Sequence, residues 1–142
     1  MASKTGALEV PEWATKSSHP GVCLVLVKDD VDDTVYPLSD GAAYVIGRVT
    51  GSHNIVVSHV TVSRRHAMIV HQNEKSFLID ASSNGSFINA VQIPSGRFRD
   101  LDDGDVIQFG EAPFAFRFCT ENPGAGPGAG LGAGAGAGAA GG

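Results

Sequence analysis

The sequence predicts an all-β fold, a sandwich or a barrel, with little or no helix. Three observations carry this. Short apolar runs rich in Val, Ile, Leu and Phe recur from Val22 to Phe118, each about as long as a strand. Gly, Pro, Asn, Asp and Ser cluster between the runs, where they supply positive φ, a fixed φ or local side-chain hydrogen bonds. No segment sustains a 3.6-residue apolar period between helix caps. At 142 residues the chain is long enough for one domain with its own core, and it shows no internal repeat.

The elements follow in order. Residues 1–20 are polar, with Pro11, Ser17, Ser18 and Pro20, and read as an extended arm with one apolar anchor, Trp13. Val22 to Val27 is a continuous strand run that ends in an acidic turn, Asp29 to Asp33. Thr34 to Leu38 is its hairpin mate, with Pro37 favouring an edge position. Ala43 to Ile46 is the next strand and runs into Gly47-Arg48; Thr50 to Asn54 reads as a loop and Ile55 to Val57 as a brief strand. His66 to His71 alternates, setting Ala67, Ile69 and His71 opposite Met68 and Val70. After a turn at Asn73 to Ser76 come the strand Phe77 to Asp80 and two short rungs, Phe87-Ile88 and Val91 to Ile93, around a hairpin at Asn89-Ala90. Pro94-Ser95-Gly96 and Asp102 to Asp105 turn the chain, and Val106 to Phe109 and Phe114 to Phe118 complete the domain.

The domain therefore spans 21–120. Beyond it, residues 121–142 are almost wholly Gly and Ala, with Pro123, Pro127 and Leu131. Gly loses the most backbone freedom on ordering and buries no side chain, so this segment is expected to be a disordered tail.

Net charge is −5, which argues against direct binding of nucleic acid or an anionic membrane. The distribution is more informative. Between Gly41 and Asn73 there is no Asp or Glu, while Arg48, Arg64, Arg65 and four of the five histidines fall there. The acids cluster at Asp29 to Asp33 and at Asp100 to Asp105. A locally positive face on an acidic domain suits a small anionic feature on a partner. No Cys/His spacing reads as a metal site, and the N-terminus lacks the apolar core of a signal peptide.

Three short segments carry the chemistry: Gly47-Arg48, Ser63-Arg64-Arg65-His66, and Ser82 to Asn89. Together they offer guanidinium, hydroxyl and side-chain amide groups, the equipment for holding a phosphate attached to a peptide. A phosphorylated side chain brings a charge of about −1.5 to −2 and three acceptor oxygens. Arg suits it better than Lys, being planar, permanently charged and able to bind two oxygens at once. Taken alone, Arg48 is equally a surface arginine at a strand end, and Asn84-Gly85 is equally a hairpin turn. Ser63 can donate a hydroxyl proton to phosphate, and either Arg64 or Arg65 can add charge. His66 reads as a hydrogen-bonded internal residue.

In this order, on an all-β background, the segments resemble the forkhead-associated (FHA) family. The resemblance rests on Gly47-Arg48, the spacing Ser63-x-x-His66, Ser82 to Gly85 with Asn89, and Leu101 to Gly110, and it runs from about Val22 to Phe118. It implies a β-sandwich of two antiparallel sheets whose loops read phosphothreonine on a partner protein. Carried onto this chain, it makes Arg48 and Ser63 the phosphate ligands with help from Arg64. Ser83 and Asn84 face the ligand, and Asn84 bonds the peptide main chain. Gly47, His66, Gly85 and Asn89 support the site. The family often has Thr where Ser83 stands and Gly where Ala90 stands; neither change removes a needed polar group. Its first and last strands commonly pair, which would make Cys23 and Cys119 neighbours, expected as buried free thiols.

Within the family, Pro11 to Ala14 followed by Gly21 to Lys28 is similar to the lead-in of the nuclear phosphatase-inhibitor branch, which reads phosphothreonine-proline sites. That branch's phosphatase-docking motif, a basic residue, Val, any residue and an aromatic, is absent: Arg48-Val49-Thr50-Gly51 ends in Gly. Phosphatase inhibition is therefore not carried over. The resemblance implies a monomeric binding module and no enzyme, without catalytic residues, metal or cofactor, that is nuclear, or otherwise cytoplasmic. Its partners would be phosphothreonine-containing proteins. An alternative is an FHA-fold scaffold for phospho-independent protein interaction. A hydrolase built on Ser63 and His66 is disfavoured, because no Gly-x-Ser-x-Gly elbow and no nearby carboxylate accompany them.

Overall fold

The computed structural model describes residues 8–51 and 53–121; residues 122–142, which hold the expected disordered tail, lie outside the described residues. Among the described residues eleven strands form two sheets. They are β1 (Cys23–Lys28), β2 (Val31–Pro37), β3 (Ala43–Gly47), β4 (Asn54–Val56), β5 (Ala67–Gln72), β6 (Lys75–Asp80), β7 (Ser86–Ile88), β8 (Val91–Gln92), β9 (Phe98–Leu101), β10 (Val106–Phe109) and β11 (Ala115–Cys119). One sheet has the order β2-β1-β11-β10-β7-β8, the other β4-β3-β5-β6-β9. Leu24, Leu26, Ile46, Ala67, Ile69, Leu78, Ile88, Ile107, Phe109, Phe116 and Phe118 fill the space between them.

Side-chain alternation explains why some runs are apolar throughout. In β1, Leu24 and Leu26 enter the main core while Cys23 and Val25 are buried on the opposite face. In β5, Ala67 and Ile69 enter the core while Met68 and Val70 are covered from outside by Leu8 and Ala14 of the N-terminal arm. The arm is extended and packed. Thr15 and Ser18 donate backbone hydrogen bonds to the carbonyls of His71 and Asn73, at 2.9 and 2.7 Å. Trp13 meets Phe77 and Phe98 edge-on, with ring centroids 5.5 and 5.2 Å away. Leu8 is a second anchor beside Trp13.

Three details depart from the sequence reading. The pair β3–β4 runs parallel, so the second sheet is mixed; apolar alternation marks the face a residue occupies and is blind to strand direction. β2 begins at Val31, because Asp29 and Asp30 at φ 51° and 62° make a two-residue turn and Asp32 enters the strand, where Arg117 grips it through both carboxylate oxygens at 2.8 and 3.1 Å. β9 was not expected at all: it is a charged edge strand on β6 whose only buried residue is Leu101.

Candidate functional site

Three loops meet at one end of the second sheet: the turn after β3, the long β4–β5 connection and the β6–β7 connection. Gly47 lets the first two touch. A Cβ there would collide with the carbonyl of Arg64 and lie 2.8 Å from that of Ser63, so no larger residue fits while the loop stays in place. Across this close approach Arg48 and Val49 donate their backbone N–H groups to the carbonyls of Ser63 and Arg64, each at 3.3 Å.

The segment Thr61-Val62-Ser63 is the spine on which the polar side chains converge. Arg48 Nε donates to the Val62 carbonyl at 2.6 Å. Asn84 Nδ2 donates to the Thr61 carbonyl at 2.7 Å. The Ser83 N–H donates to Ser63 Oγ at 3.3 Å. Each contact fixes a side chain yet leaves part of its hydrogen-bonding capacity over. Among the described residues the terminal guanidinium nitrogens of Arg48, the Ser63 hydroxyl proton and Asn84 Oδ1 have no partner, and Arg48, Ser83 and Asn84 are exposed. Arg64 is exposed with no side-chain partner among the described residues, whereas Arg65 turns away and donates to the Leu8 carbonyl of the arm at 3.1 Å. The two arginines, alike by residue type and set apart before only by the resemblance, thus differ in their contacts.

Beneath the loops sits His66, fully buried. Its Nδ1 accepts the Ser63 N–H at 2.9 Å, so Nε2 carries the proton and donates it to the Gly85 carbonyl at 2.7 Å. One neutral ring therefore joins the β4–β5 loop to the β6–β7 loop. Burial holds its pKa below the ordinary histidine value, against the Gly85 carbonyl and the Asp80 charge that favour protonation. Gly85 itself has φ 89°, a left-handed conformation that suits glycine.

Sequence reasoning missed several supports. Buried Asp80 accepts from the hydroxyls of Ser82 and Ser86, both at 2.6 Å, and from the Ser82 N–H at 3.3 Å, which cinches the β6–β7 loop. The spacing Asp80-x-Ser82 is an Asx-turn signal that could have announced it. Thr61 Oγ1 accepts the Glu111 N–H at 2.8 Å, tying the spine to the turn after β10. Thr61 and Val62 act on the site through carbonyls, which no side-chain motif reveals. Asn89 lies elsewhere, bonding Asp105 and the Val106 N–H, both at 3.0 Å, and so braces the β7–β8 hairpin against β10.

A family model described as FHA domain matches residues 44–110, the stretch that holds all of these loops. The chain belongs to the FHA family. FHA domains are phosphothreonine-binding interaction modules. A solved FHA domain, that of FhaA in complex with the intracellular domain of Rv3910, is 30% identical, with a TM-score of 0.56 over 69% of this chain and 99% of that one. The yeast Pml1 splicing factor has a TM-score of 0.70 at 23% identity, covering 80% of this chain and 96% of that one, a likeness of fold. Nuclear inhibitor of protein phosphatase 1 from Homo sapiens is 27% identical over 111 residues, 76% of this FHA chain and 31% of that protein. A protein phosphatase 1 regulatory inhibitor subunit homolog from Arabidopsis thaliana is 29% identical over 102 residues, 70% of this chain and 27% of that protein. The chain thus spans about a quarter to a third of the length of such relatives.

Proposed function

We propose that this FHA chain binds phosphothreonine segments of partner proteins, as a monomer, and recruits those partners in the nucleus. The observation that supports it is the set of unspent groups around Thr61-Val62-Ser63. Arg48 forks two N–H donors onto the phosphate, Ser63 adds its hydroxyl and Arg64 adds a second charge. Asn84 Oδ1, its amide held by Thr61, accepts a main-chain N–H of the peptide, and exposed Ser83 faces the ligand beside it. Charge-assisted hydrogen bonds are worth about 1.5–3 kcal/mol each. A few of them, less the cost of ordering the peptide, fit an affinity of about −8 kcal/mol, a micromolar dissociation constant.

Likeness to nuclear inhibitor of protein phosphatase 1 supports the nuclear assignment, and the resemblance of Pro11 to Ala14 and Gly21 to Lys28 to the lead-in of the phosphatase-inhibitor branch is what suggests a phosphothreonine followed by proline as the target. Inhibition of a phosphatase is no part of the proposal, since the docking motif is missing from residues 1–142. The test is selection from randomised peptide pools. The phosphothreonine pool is expected to be enriched over both its phosphoserine and its unphosphorylated counterparts. Equal recovery of the unphosphorylated pool would instead favour the phospho-independent scaffold.

A further inference from the structure

Cys23 and Cys119 contribute nothing to the loop site, yet the fold sets them face to face. Cys23 opens β1, Cys119 closes β11, and the two are Cα partners in the antiparallel register. Neighbouring hydrogen bonds identify the kind of pair. Phe118 turns its N–H and carbonyl toward the β10 side, to Asp105 and Gly104, and Val22 turns its carbonyl toward Leu38 on the β2 side. Backbone groups alternate sides residue by residue, so Cys23 and Cys119 turn theirs toward each other and form a hydrogen-bonded pair. Cα atoms of such a pair lie about 5.5 Å apart, inside the window of about 4.4–6.8 Å that a disulfide spans, and the Cβ atoms, about 5.5 Å apart, must draw in by about 1 Å, a shift that the strand ends at Cys23 and Cys119 can take up.

Both side chains leave on the sheet face away from the main core, where they cluster with Val25 and Val27. Both thiols are free. They are not equivalent. Cys23 is fully buried, whereas Cys119 retains 8% exposure at its strand end. The Cys119 thiol lies 3.9 Å from the Arg117 carbonyl; the paired Cys23 thiol and the neighbouring Arg117 charge lower the Cys119 pKa against the effect of burial, while the same pairing and burial raise that of Cys23.

We propose that Cys23 and Cys119 are a reversible modification site, a dithiol that a peroxide converts to an intramolecular disulfide joining the first and last strands. The Cys119 thiolate attacks a peroxide oxygen, the O–O bond breaks, and the departing hydroxide takes a proton and leaves as water. Cys119 is then a sulfenic acid. The Cys23 sulfur, giving its proton to the leaving hydroxide, attacks the Cys119 sulfur and releases a second water. Two thiols and one peroxide thus become one disulfide and two waters, with two electrons passing from sulfur to oxygen. A dithiol reductant reverses the change. The bridge closes a loop around nearly the whole folded chain, where a crosslink most restricts the unfolded state.

The experiment treats the full chain with hydrogen peroxide and follows intact mass, alkylatable thiols, peptide linkage and melting. Expected are a loss of two hydrogens, loss of both thiols, a linked Cys23–Cys119 peptide and a melting temperature higher by about 10 °C, all reversed by dithiothreitol. In Cys23→Ala the oxidation is expected to stop at a sulfenic acid on Cys119, trapped by dimedone. Mass and linkage in the unsubstituted chain decide the matter even if that variant fails to fold. Oxygen added to Cys119 with Cys23 still alkylatable, a bridge between two chains, untouched thiols where a control thiol oxidises, or a linked chain that melts no higher would each overturn the proposal.

Discussion

Arg48 illustrates how one side chain is held without being used up. Its Nε is committed to the Val62 carbonyl, which fixes the guanidinium while its terminal nitrogens have no partner among the described residues. Arg48→Ala is expected to weaken phosphopeptide binding by about a hundredfold or more, the loss of about two charge-assisted bonds, with little change in melting temperature because the side chain is exposed. Titration calorimetry beside a thermal melt checks both halves. A second residue tells of cost rather than use. Ala90 sits at φ 69° in the β7–β8 turn, where a Cβ is strained, so Ala90→Gly is expected to raise stability by about 1 kcal/mol, measurable by urea unfolding. In sequence, Arg48 is a candidate ligand only in company with the other two segments, and Ala90 stands out because the family often has Gly there. The carbonyls of Thr61 and Val62 were not legible, since a backbone group has no signature in sequence. Residue type alone does not separate Arg64 from Arg65; the resemblance named Arg64, and the contact that holds Arg65 depends on where the arm passes.

At the scale of elements, the site is a set of loops kept in register by buried polar groups. His66 ties two of them as a neutral ring, and His71 does similar service at the far end of β5, its Nε2 donating to the Leu38 carbonyl at 2.9 Å and its Nδ1 accepting from the Ser76 hydroxyl at 2.7 Å. Burial lowers the pKa of both from 6.5. Above that value the rings are neutral in folded and unfolded chains alike, and they add no pH dependence. Below it the unfolded chain takes up protons that the folded chain resists, so stability falls as pH falls from 6.5 toward the depressed folded values, by up to about 1.4 kcal/mol per pH unit for each ring. Denaturant melts between about pH 7.5 and about pH 5 should show that decline; a flat profile would contradict the neutral-ring assignment.

The arm is the other element with a measurable role. Leu8 and Ala14 cover Met68 and Val70, so a chain beginning at Gly21 is expected to lose at least about 2 kcal/mol in urea unfolding. Sequence pattern gave most of the strands, because period-two alternation and turn residues are local signals. It missed the parallel direction of β4, which depends on pairing, and β9, whose charged edge residues carry almost no apolar signal. The arm read as extended, with Trp13 its single anchor. The burial of Leu8 depends on a surface that exists only once β5 and β6 are paired.

At the scale of the whole molecule, charge segregation and topology act together. The acid-free stretch Gly41 to Asn73 forms β3, β4, all of β5 and the loops between them, so an acidic chain presents Arg48 and Arg64 at one end without a competing exposed carboxylate from that stretch. The one acid drawn beneath the loops, Asp80, is buried and taken up by Ser82 and Ser86. A field of this kind favours a compact anion over an extended one, which separates a phosphopeptide from a nucleic acid. The most direct measurement is an NMR titration of the isotopically labelled chain with a phosphothreonine peptide and its unphosphorylated twin. Micromolar binding of the phosphorylated peptide alone is expected, with the largest shifts at Arg48, Ser63, Arg64, Ser83 and Asn84. Equal binding of the two peptides, or shifts centred away from those five residues, would contradict it.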